Sequence, residues 1–282
     1  QSIIPSTHNI STPERRILRE QVGNQLYGTG AKVKERRADI VIGPPASGKS
    51  TISDPLAEKY GSLVIDNDKA KPFLPEFAGG SAAGAVHQES SDILDMLVFP
   101  KAIVAGDNIM LPLVGKTREK LEKIAQVLKS RGYSVHLTLL DLPPEKAAQR
   151  GVARFEKGGR FVDPDYIINE VGTKPKENFF ALKDRKDLFD SATAYTNDVP
   201  RGTAPKLISE HEIGITAFRG KPVKSVKETL PYYETTRMKG FENSLRQEVP
   251  RAEKVFMERD SGYWEGGIEP SLRVKGRGTQ EQ

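Results

Sequence analysis

The stretch Gly43-Pro44-Pro45-Ala46-Ser47-Gly48-Lys49-Ser50 has residue types and spacing that could bind the phosphates of a nucleotide. It fits the pattern G-x-x-x-x-G-K-[ST], in which glycines let backbone N–H groups turn towards a phosphate. The apolar residues 38–42 precede it and the helix-forming residues 50–59 follow it, as the pattern requires. The alternative is a Gly/Pro turn before an ordinary helix, but the flanking segments favour a phosphate-binding loop.

In such a loop the amine of Lys49 is expected to reach the β- and γ-phosphates, and the hydroxyl group of Ser50 is expected to hold Mg²⁺. The N-terminus of the following helix adds its positive dipole end. The predicted nucleotide-binding residues are Gly43, Pro44, Ala46, Ser47, Gly48, Lys49, Ser50 and Thr51. The loop by itself indicates a nucleotide and does not specify a reaction.

Two carboxylates follow the next predicted strand, residues 62–66, which ends in Asp66-Asn67-Asp68. An aspartate just past a strand that lies beside the phosphate loop is well placed to accept a proton from a substrate hydroxyl. We favour Asp68 as this general base, and we expect Asp66 and Asn67 to contribute to substrate binding. Capping of a loop and an indirect contact with Mg²⁺ are the alternative roles for the two carboxylates.

Two arginines lie further along the chain, in residues 154–164. Arg154 is late in a predicted helix, and Arg160 is on the glycine-rich loop that follows it. Arginines in this setting can clamp a phosphoryl group during transfer, while the loop closes over the nucleotide and excludes water. Two solvated surface arginines are the alternative interpretation.

The elements that must position these residues alternate between strand and helix. Strands are predicted at residues 38–42, 62–66, 108–113 and 133–140, and helices at residues 50–59, 86–105, 117–130 and 143–157. This alternation predicts an α/β fold with a parallel sheet covered by helices, whose site lies at the carboxyl ends of the strands. Pro112 is expected to end the third strand, and Pro112 and Lys116 are predicted to bind the acceptor. Residues 164–190 are predicted to be helical and charged, and residues 206–210 to form a last strand.

Composition excludes several other classes of protein. The 282 residues include no cysteine, which rules out disulfides and thiolate metal sites. No apolar run approaches the length of a membrane span, so we expect no membrane partner. The net charge of +5 suits an anionic ligand or simply a lysine-rich surface. Tyr232, Tyr233 and Trp264 are predicted to pack together rather than to stack on bases, so we expect no nucleic-acid partner.

In combination, these residues resemble the zeta-toxin family of P-loop kinases. The likeness covers about residues 38–190 and rests on several segments. These are residues 43–51, Val64-Ile65-Asp66-Asn67-Asp68, Gly106-Asp107-Asn108-Ile109, Lys129-Ser130-Arg131-Gly132-Tyr133, and Arg154-Phe155-Glu156 with Arg160. The resemblance implies ATP and Mg²⁺ as cofactors, and transfer of a phosphoryl group to a sugar hydroxyl of a UDP-activated amino sugar, which poisons cell-wall synthesis. It also implies an antitoxin, or a chaperone-like inhibitor protein, as partner.

Carried onto this sequence, the resemblance assigns phosphate and metal binding to Lys49 and Ser50, the base to Asp68, and stabilisation of the transferring group to Arg154 and Arg160. Family members commonly carry Glu-Gly-Thr after the third strand, and those residues contact the sugar nucleotide. This sequence has Pro112-Leu113-Val114-Gly115-Lys116 there. We therefore expect the acceptor to differ from the usual UDP-sugar or to be held differently.

The sequence therefore predicts an ATP-dependent kinase with an alcohol acceptor, a small nucleotide-containing metabolite of the UDP-amino-sugar type, acting as a toxin. The alternatives are a kinase acting on a dinucleotide or an antibiotic, and a regulatory nucleotide-hydrolysing module. We divide the chain into an N-terminal helical extension at residues 1–37, a kinase domain at 38–215, and an irregular C-terminal extension at 216–282. Because the chain begins at Gln1, we expect a fragment of a larger or secreted protein, with a cytoplasmic site of action.

Overall fold

The computed structural model describes residues 5–28, 32–200 and 202–212. The predicted C-terminal extension at residues 216–282, with Tyr232, Tyr233 and Trp264, lies outside these residues. The strands are β1 (Arg37–Ile42), β2 (Leu63–Val64), β3 (Ile109–Leu113), β4 (Ser134–Asp141), β5 (Ser191–Thr196) and β6 (Lys206–Glu212). They form one sheet in the order β2-β3-β1-β4-β5-β6, parallel throughout except for β6. The predicted α/β fold with a mainly parallel sheet is confirmed.

Helices surround the sheet and connect its strands. They are α1 (Pro13–Gly28), α2 (Ser50–Tyr60), α3 (Asn67–Ala70), α4 (His87–Ile93), α5 (Phe99–Ala105), α6 (Arg118–Ser130), α7 (Pro144–Glu156) and α8 (Lys174–Leu182). Leu94–Val98 forms a wider π-helical turn that joins α4 to α5, so the helix predicted at residues 86–105 is confirmed as one continuous run. A second π-helical turn, Tyr166–Val171, precedes α8. None of the helices in the described residues is long and apolar enough to cross a membrane.

Strand β5 was not predicted from the sequence. Its residues, Ser191–Thr196, are small or polar and follow a charged segment, so they lack the apolar signal of the other strands. The segment is nevertheless a strand because it pairs with the whole of β4, from His136 opposite Ser191 to Asp141 opposite Thr196. Its alternating alanines, Ala192 and Ala194, are fully buried against the core. Tertiary pairing has overridden weak local propensity here.

Pro112 does not end the third strand, which continues through it to Leu113. The carbonyl group of Met110 faces β2 and accepts a hydrogen bond from the N–H of Ile65. Pro112 lies two residues further on and therefore faces the same side, beyond the end of β2, which pairs only at Leu63 and Val64. The missing N–H of the proline breaks no bond of the sheet, as is usual for proline at a free edge.

The N-terminal helix packs on the same core as the sheet. Thr12 caps α1, because its hydroxyl oxygen accepts a hydrogen bond from the N–H of Arg15 at 3.2 Å. On the inner face of α1, Val22 and Leu26 are buried within the main hydrophobic cluster. The helical part of the predicted N-terminal extension thus contributes directly to the core.

A buried ionic network holds α1 against α4. The carboxylate of Glu89 has no exposed surface and accepts hydrogen bonds from Arg15 at 2.6 and 2.7 Å, from Arg19 at 2.7 Å, and from the hydroxyl group of Thr7. Burial opposes ionisation of Glu89, but the bonds from Arg15, Thr7 and Arg19 outweigh it and lower its pKa. Arg15 also makes a bidentate pair with Glu76, at 2.9 Å to each oxygen. The network therefore ties α1 both to α4 and to the turn that contains Glu76.

We predict that Glu89→Gln lowers the free energy of unfolding by about 3–5 kcal/mol, because it leaves two guanidinium groups without their buried counter-charge. Urea titration at neutral pH measures this loss. Glu76→Gln is the matched control, since Glu76 is about a third exposed, and we expect it to cost less than about 1 kcal/mol. Equal losses in the two variants would contradict the assignment of the buried network.

Candidate active site

The phosphate loop lies between β1 and α2, and Lys49 folds back into it. The amine of Lys49 donates hydrogen bonds to the carbonyl oxygens of Gly43 and Pro44, at 2.9 and 3.0 Å. Two residues of the loop have left-handed backbone conformations, Ala46 at φ 60° and Gly48 at φ 85°. For a non-glycine residue such as Ala46 this costs about 1–2 kcal/mol. Strain of this kind is typical of loops that are shaped to hold a ligand.

Asn197 holds the loop from the side. This residue directly follows β5 and is almost fully buried. Its side-chain amide donates a hydrogen bond to the backbone carbonyl oxygen of Ser47 at 2.7 Å. The backbone carbonyl oxygen of Asn197 accepts a hydrogen bond from the guanidinium group of Arg150 at 2.9 Å. A Cβ atom at Gly48 would lie 2.7 Å from the same amide. Glycine is therefore needed at position 48 both for its positive φ and for this close approach.

The three polar residues after β2 have different surroundings. Asp66 caps the short helix α3, because its carboxylate accepts a hydrogen bond from the N–H of Asp68 at 3.0 Å. The amide of Asn67 points to α4 and donates to the hydroxyl oxygen of Ser91 at 2.6 Å. Asp68 has about a third of its side chain exposed. Of the three, Asp68 is the one whose carboxylate meets the predicted arginine loop.

Both oxygens of Asp68 are engaged by cations. The Oδ2 atom lies 2.5 Å from a guanidinium nitrogen of Arg160, and the Oδ1 atom accepts a hydrogen bond from the amine of Lys71 at 3.0 Å. Burial opposes ionisation of Asp68, but Arg160 and Lys71 outweigh it, so the pKa of Asp68 is lowered. Asp68 is thus ionised and able to accept a proton at neutral pH.

Arg154 and Arg160 lie together at the end of α7. The chain reverses through Gly158 and Gly159, and the N–H of Gly159 donates to the carbonyl oxygen of Arg154 at 3.0 Å. The rings of Phe155 and Phe161 pack edge to face across this turn, with centroids 5.3 Å apart. Two buried nitrogens of the Arg154 side chain, Nε and Nη2, find no hydrogen-bond partner within the part of the chain that the structure describes. They are donors suited to an anion.

The charges at this edge of the sheet affect one another. Burial lowers the pKa of Lys49 to about 8, although Asp66 favours its charged form. Burial and the neighbouring Asp68 raise the pKa of Asp66. Burial and the neighbouring Arg160 lower the pKa of Arg154. Shifts that arise from burial and close charges are concentrated at functional sites, and here they join both predicted carboxylates, both predicted arginines and the loop lysine into one cluster.

Four other residues that were predicted to bind the nucleotide or the acceptor do not belong to this charged cluster. Ser47 is fully buried, and its hydroxyl oxygen has no hydrogen-bond partner among the described residues. Thr51 donates its hydroxyl to the carbonyl oxygen of Gly48 at 2.8 Å and so braces the turn into α2. Pro112 is half-buried within β3. Lys116 lies over the ring of Tyr166 at 4.7 Å and 3.5 Å from Glu170, without a described contact to the Asp68 cluster.

The oxygen groups near the loop fit a magnesium ion. Ser50 is exposed at the first position of α2, and the carboxylate of Asp66 is close enough to the loop to act on Lys49. Mg²⁺ prefers oxygen ligands and is usually held by one or two protein groups together with phosphates and water. No cluster of three or more acidic or histidine side chains that could hold a metal by itself occurs in the described ranges. The residues present therefore suit a metal that arrives with a nucleotide.

Sequence reasoning missed two residues of the site, Asn197 and Lys71. Asn197 was missed because β5, which positions it, gave no strand signal. Lys71 was missed because a lone lysine after a loop is usually a solvated residue, whereas here only 2% of its surface is exposed. A signal for Lys71 was nevertheless present, since it follows Asp68 at a spacing of three, which places two residues on one face of a helical turn.

Sequence comparison finds similarity to a transferase that acts on tRNA and to an adenylate kinase. Over 184 residues it is 26% identical to a tRNA dimethylallyltransferase of Chlorobium phaeovibrioides, a match that spans 52% of this chain and only 58% of that protein. Over 177 residues it is 27% identical to human adenylate kinase isoenzyme 1, spanning 58% of this chain and 89% of that enzyme.

Two solved structures have the same fold at low sequence identity. One comes from the PezAT chromosomal toxin–antitoxin system of Streptococcus pneumoniae, with a TM-score of 0.56, 19% identity, and coverage of 83% of this chain and 98% of that one. The other is AvrRxo1-ORF1:AvrRxo1-ORF2 with ATP, with a TM-score of 0.58, 16% identity, and coverage of 83% and 86%.

A family-level comparison gives the most specific result. The profile of the zeta toxin family matches residues 25–199, which is more than half of the chain. The match includes the phosphate loop, both aspartates, both arginines and Asn197, and it confirms the resemblance inferred from the sequence. The chain belongs to the zeta toxin family.

Proposed function

We propose that this protein is a kinase that transfers the γ-phosphoryl group of ATP to a hydroxyl group of a small, nucleotide-containing metabolite, and that it acts as a toxin. The observation that carries the proposal is the convergence of five charged side chains at the carboxyl edge of the parallel sheet: Lys49, Asp66, Asp68, Arg154 and Arg160. Phosphoryl transfer needs positioning and charge stabilisation more than covalent chemistry, and this set provides both.

Each residue has a distinct role in the proposed reaction. The loop amides and Lys49 bind the β- and γ-phosphates, with Lys49 exchanging the carbonyl oxygens of its own loop for phosphate oxygens. Asp68 orients the acceptor hydroxyl and takes its proton as the new P–O bond forms. Arg154 and Arg160 close from the end of α7 onto the transferring group, where negative charge must be stabilised in the transition state.

Ser50 and Asp66 are the residues that would hold Mg²⁺. Held there, the ion would neutralise negative charge on the phosphates of ATP. Asp66 suits this role because its carboxylate is held in place by the cap that it forms on α3. Its raised pKa also indicates a carboxylate that lacks a full counter-charge of its own.

The class of the acceptor is inferred from Asp68 and from the family. Asp68 is about a third exposed, so its carboxylate can be reached by a hydroxyl group of a small molecule. The zeta toxin family makes a UDP-amino sugar the first candidate. The segment after β3 supplies Lys116 rather than a carboxylate, and Lys116 is turned towards Glu170 and Tyr166. A hydrogen bond to a charged group is worth about 1.5–3 kcal/mol. The presence of Lys116 in place of a carboxylate is therefore sufficient to change how the acceptor is held.

An antitoxin or inhibitor protein is the proposed macromolecular partner. The support is the family itself and the structural likeness to a protein of a toxin–antitoxin system. A kinase that drains an essential metabolite requires such control in the cell that makes it.

The proposed activity is tested by incubating the protein with ATP, Mg²⁺ and a small-molecule extract, followed by mass spectrometry. We predict a new species that is heavier by one phosphoryl group, and that Lys49→Ala abolishes it. The variant should remain folded, because Lys49 contacts its own loop rather than the core, and should lose well under the ~2–5 kcal/mol of a core truncation. Full activity of Lys49→Ala would refute the kinase assignment. Slow ATP hydrolysis that no metabolite accelerates would indicate a regulatory nucleotide-hydrolysing module.

We predict that Arg154→Ala lowers kcat by about 10²–10³ while changing ATP affinity much less, because its guanidinium is expected to meet charge that develops in the transition state. Steady-state kinetics and ATP titration separate the two effects. Lys157→Ala removes an exposed cation from the same turn and should leave kcat nearly unchanged. A loss confined to ATP affinity would assign Arg154 to ground-state binding instead.

We predict that Asp68→Asn lowers the single-turnover rate by about 10²–10⁴, as loss of a general base does, with nearly normal ATP binding. Asp66→Asn is the matched comparison, since an asparagine oxygen can still cap α3. It should mainly raise the Mg²⁺ concentration required for activity. If Asp68→Asn transfers phosphate at nearly the wild-type rate while Asp66→Asn does not, the roles of the two aspartates are reversed.

A further inference from the structure

Lys71 is a buried lysine beside the proposed base. It lies in the short 3₁₀ turn Lys71–Phe73 that follows α3, and only 3% of its side chain is exposed. A lysine is almost never buried to this degree without a partner, because removing an ammonium group from water is costly. Its amine lies 3.0 Å from Oδ1 of Asp68, which supplies the counter-charge.

The two cations on Asp68 differ in how firmly they are held. The side chain of Lys71 is enclosed, and its backbone belongs to a helical turn that continues into Pro72. The side chain of Arg160 is 26% exposed and follows the paired glycines Gly158 and Gly159. Arg160 can therefore turn towards the phosphates of a nucleotide, whereas Lys71 has no comparable freedom.

We propose that Lys71 is a positioning residue that holds Asp68 by Oδ1 and leaves Oδ2 for the acceptor hydroxyl once Arg160 has turned to the nucleotide. This inference rests on the proposed kinase function. In the transfer step the acceptor oxygen bonds to the γ-phosphorus, the bond from that phosphorus to the β,γ-bridging oxygen breaks, and ADP leaves. The hydroxyl proton passes to Oδ2, while Oδ1 remains bonded to the Lys71 amine.

This arrangement has a measurable consequence. Removal of the amine at position 71 takes away the hydrogen bond at Oδ1 of Asp68. The carboxylate can then turn away from the position in which it meets the acceptor hydroxyl. The rate of transfer should fall, while binding of ATP by the phosphate loop should change little.

The test compares Lys71→Met, which keeps length but removes charge, with Lys71→Arg, which keeps the charge. Lys69→Met is the control, because Lys69 is exposed on the same short helix. The kcat of phosphoryl transfer from Mg·ATP to UDP-N-acetylglucosamine is measured, or that of basal ATP hydrolysis if the wild type does not use that acceptor, together with the KM for ATP. Affinity for ATP and thermal stability are measured for each variant.

For Lys71→Met we expect kcat to fall about 10- to 100-fold, as a misplaced catalytic group does. We also expect the KM and the affinity for ATP to remain nearly unchanged. Lys71→Arg should restore kcat, and Lys69→Met should match the wild type. A wild-type kcat in Lys71→Met, or a loss that Lys71→Arg does not repair, would overturn the inference and leave Lys71 a structural residue.

The outcomes separate this inference from the kinase proposal. If the wild type transfers no phosphate, the kinase proposal fails, and the inference that rests on it fails with it. If the wild type is active and Lys71→Met is equally active, the inference about Lys71 alone fails.

Discussion

The rest of this structure depends on one cluster of half-buried side chains, in which positive and negative charges lie close together. Lys49, Arg154 and Arg160 approach Asp66 and Asp68 at the carboxyl edge of the sheet, and none of these groups is fully solvated. Each group would be costly to bury alone. Their mutual compensation is incomplete, as the lowered pKa values of Lys49 and Arg154 and the raised pKa of Asp66 show. A polyanion such as a nucleoside triphosphate would neutralise the excess positive charge.

The phosphate loop beside these charges is held in place by its neighbours. Ala46 keeps an unfavourable left-handed conformation because strand β1, helix α2 and Asn197 determine the path of the loop on three sides. Asn197 can do so because β5 is paired along its whole length with β4. The strand that gave no sequence signal is thus the one that fastens the phosphate loop.

The N-terminal helix supports the arginine loop through an indirect chain of contacts. Arg15 of α1 holds Glu76, which lies in the 3₁₀ turn Pro75–Gly80. Gly80, at the end of this turn, packs against the backbone of Arg160, where a Cβ atom would lie 3.2 Å from the Cα atom of the arginine. The turn that carries Arg160 therefore rests on a surface whose position depends on the buried network at Glu89. Stability of the N-terminal region and placement of a proposed catalytic residue are physically connected.

The sequence by itself determined the phosphate loop, the alternating strands and helices, the carboxylates after β2, and the family. These signals are local, since each depends on spacing within a few residues or on one amphipathic period. The tertiary structure alone decided three other features. It made Ser191–Thr196 a strand through pairing with β4, it brought Arg160 to Asp68 from about ninety residues away along the chain, and it buried Lys71. Pairing, burial and ion pairs across the chain depend on which segments meet when the sheet assembles, and no local pattern of residues records that.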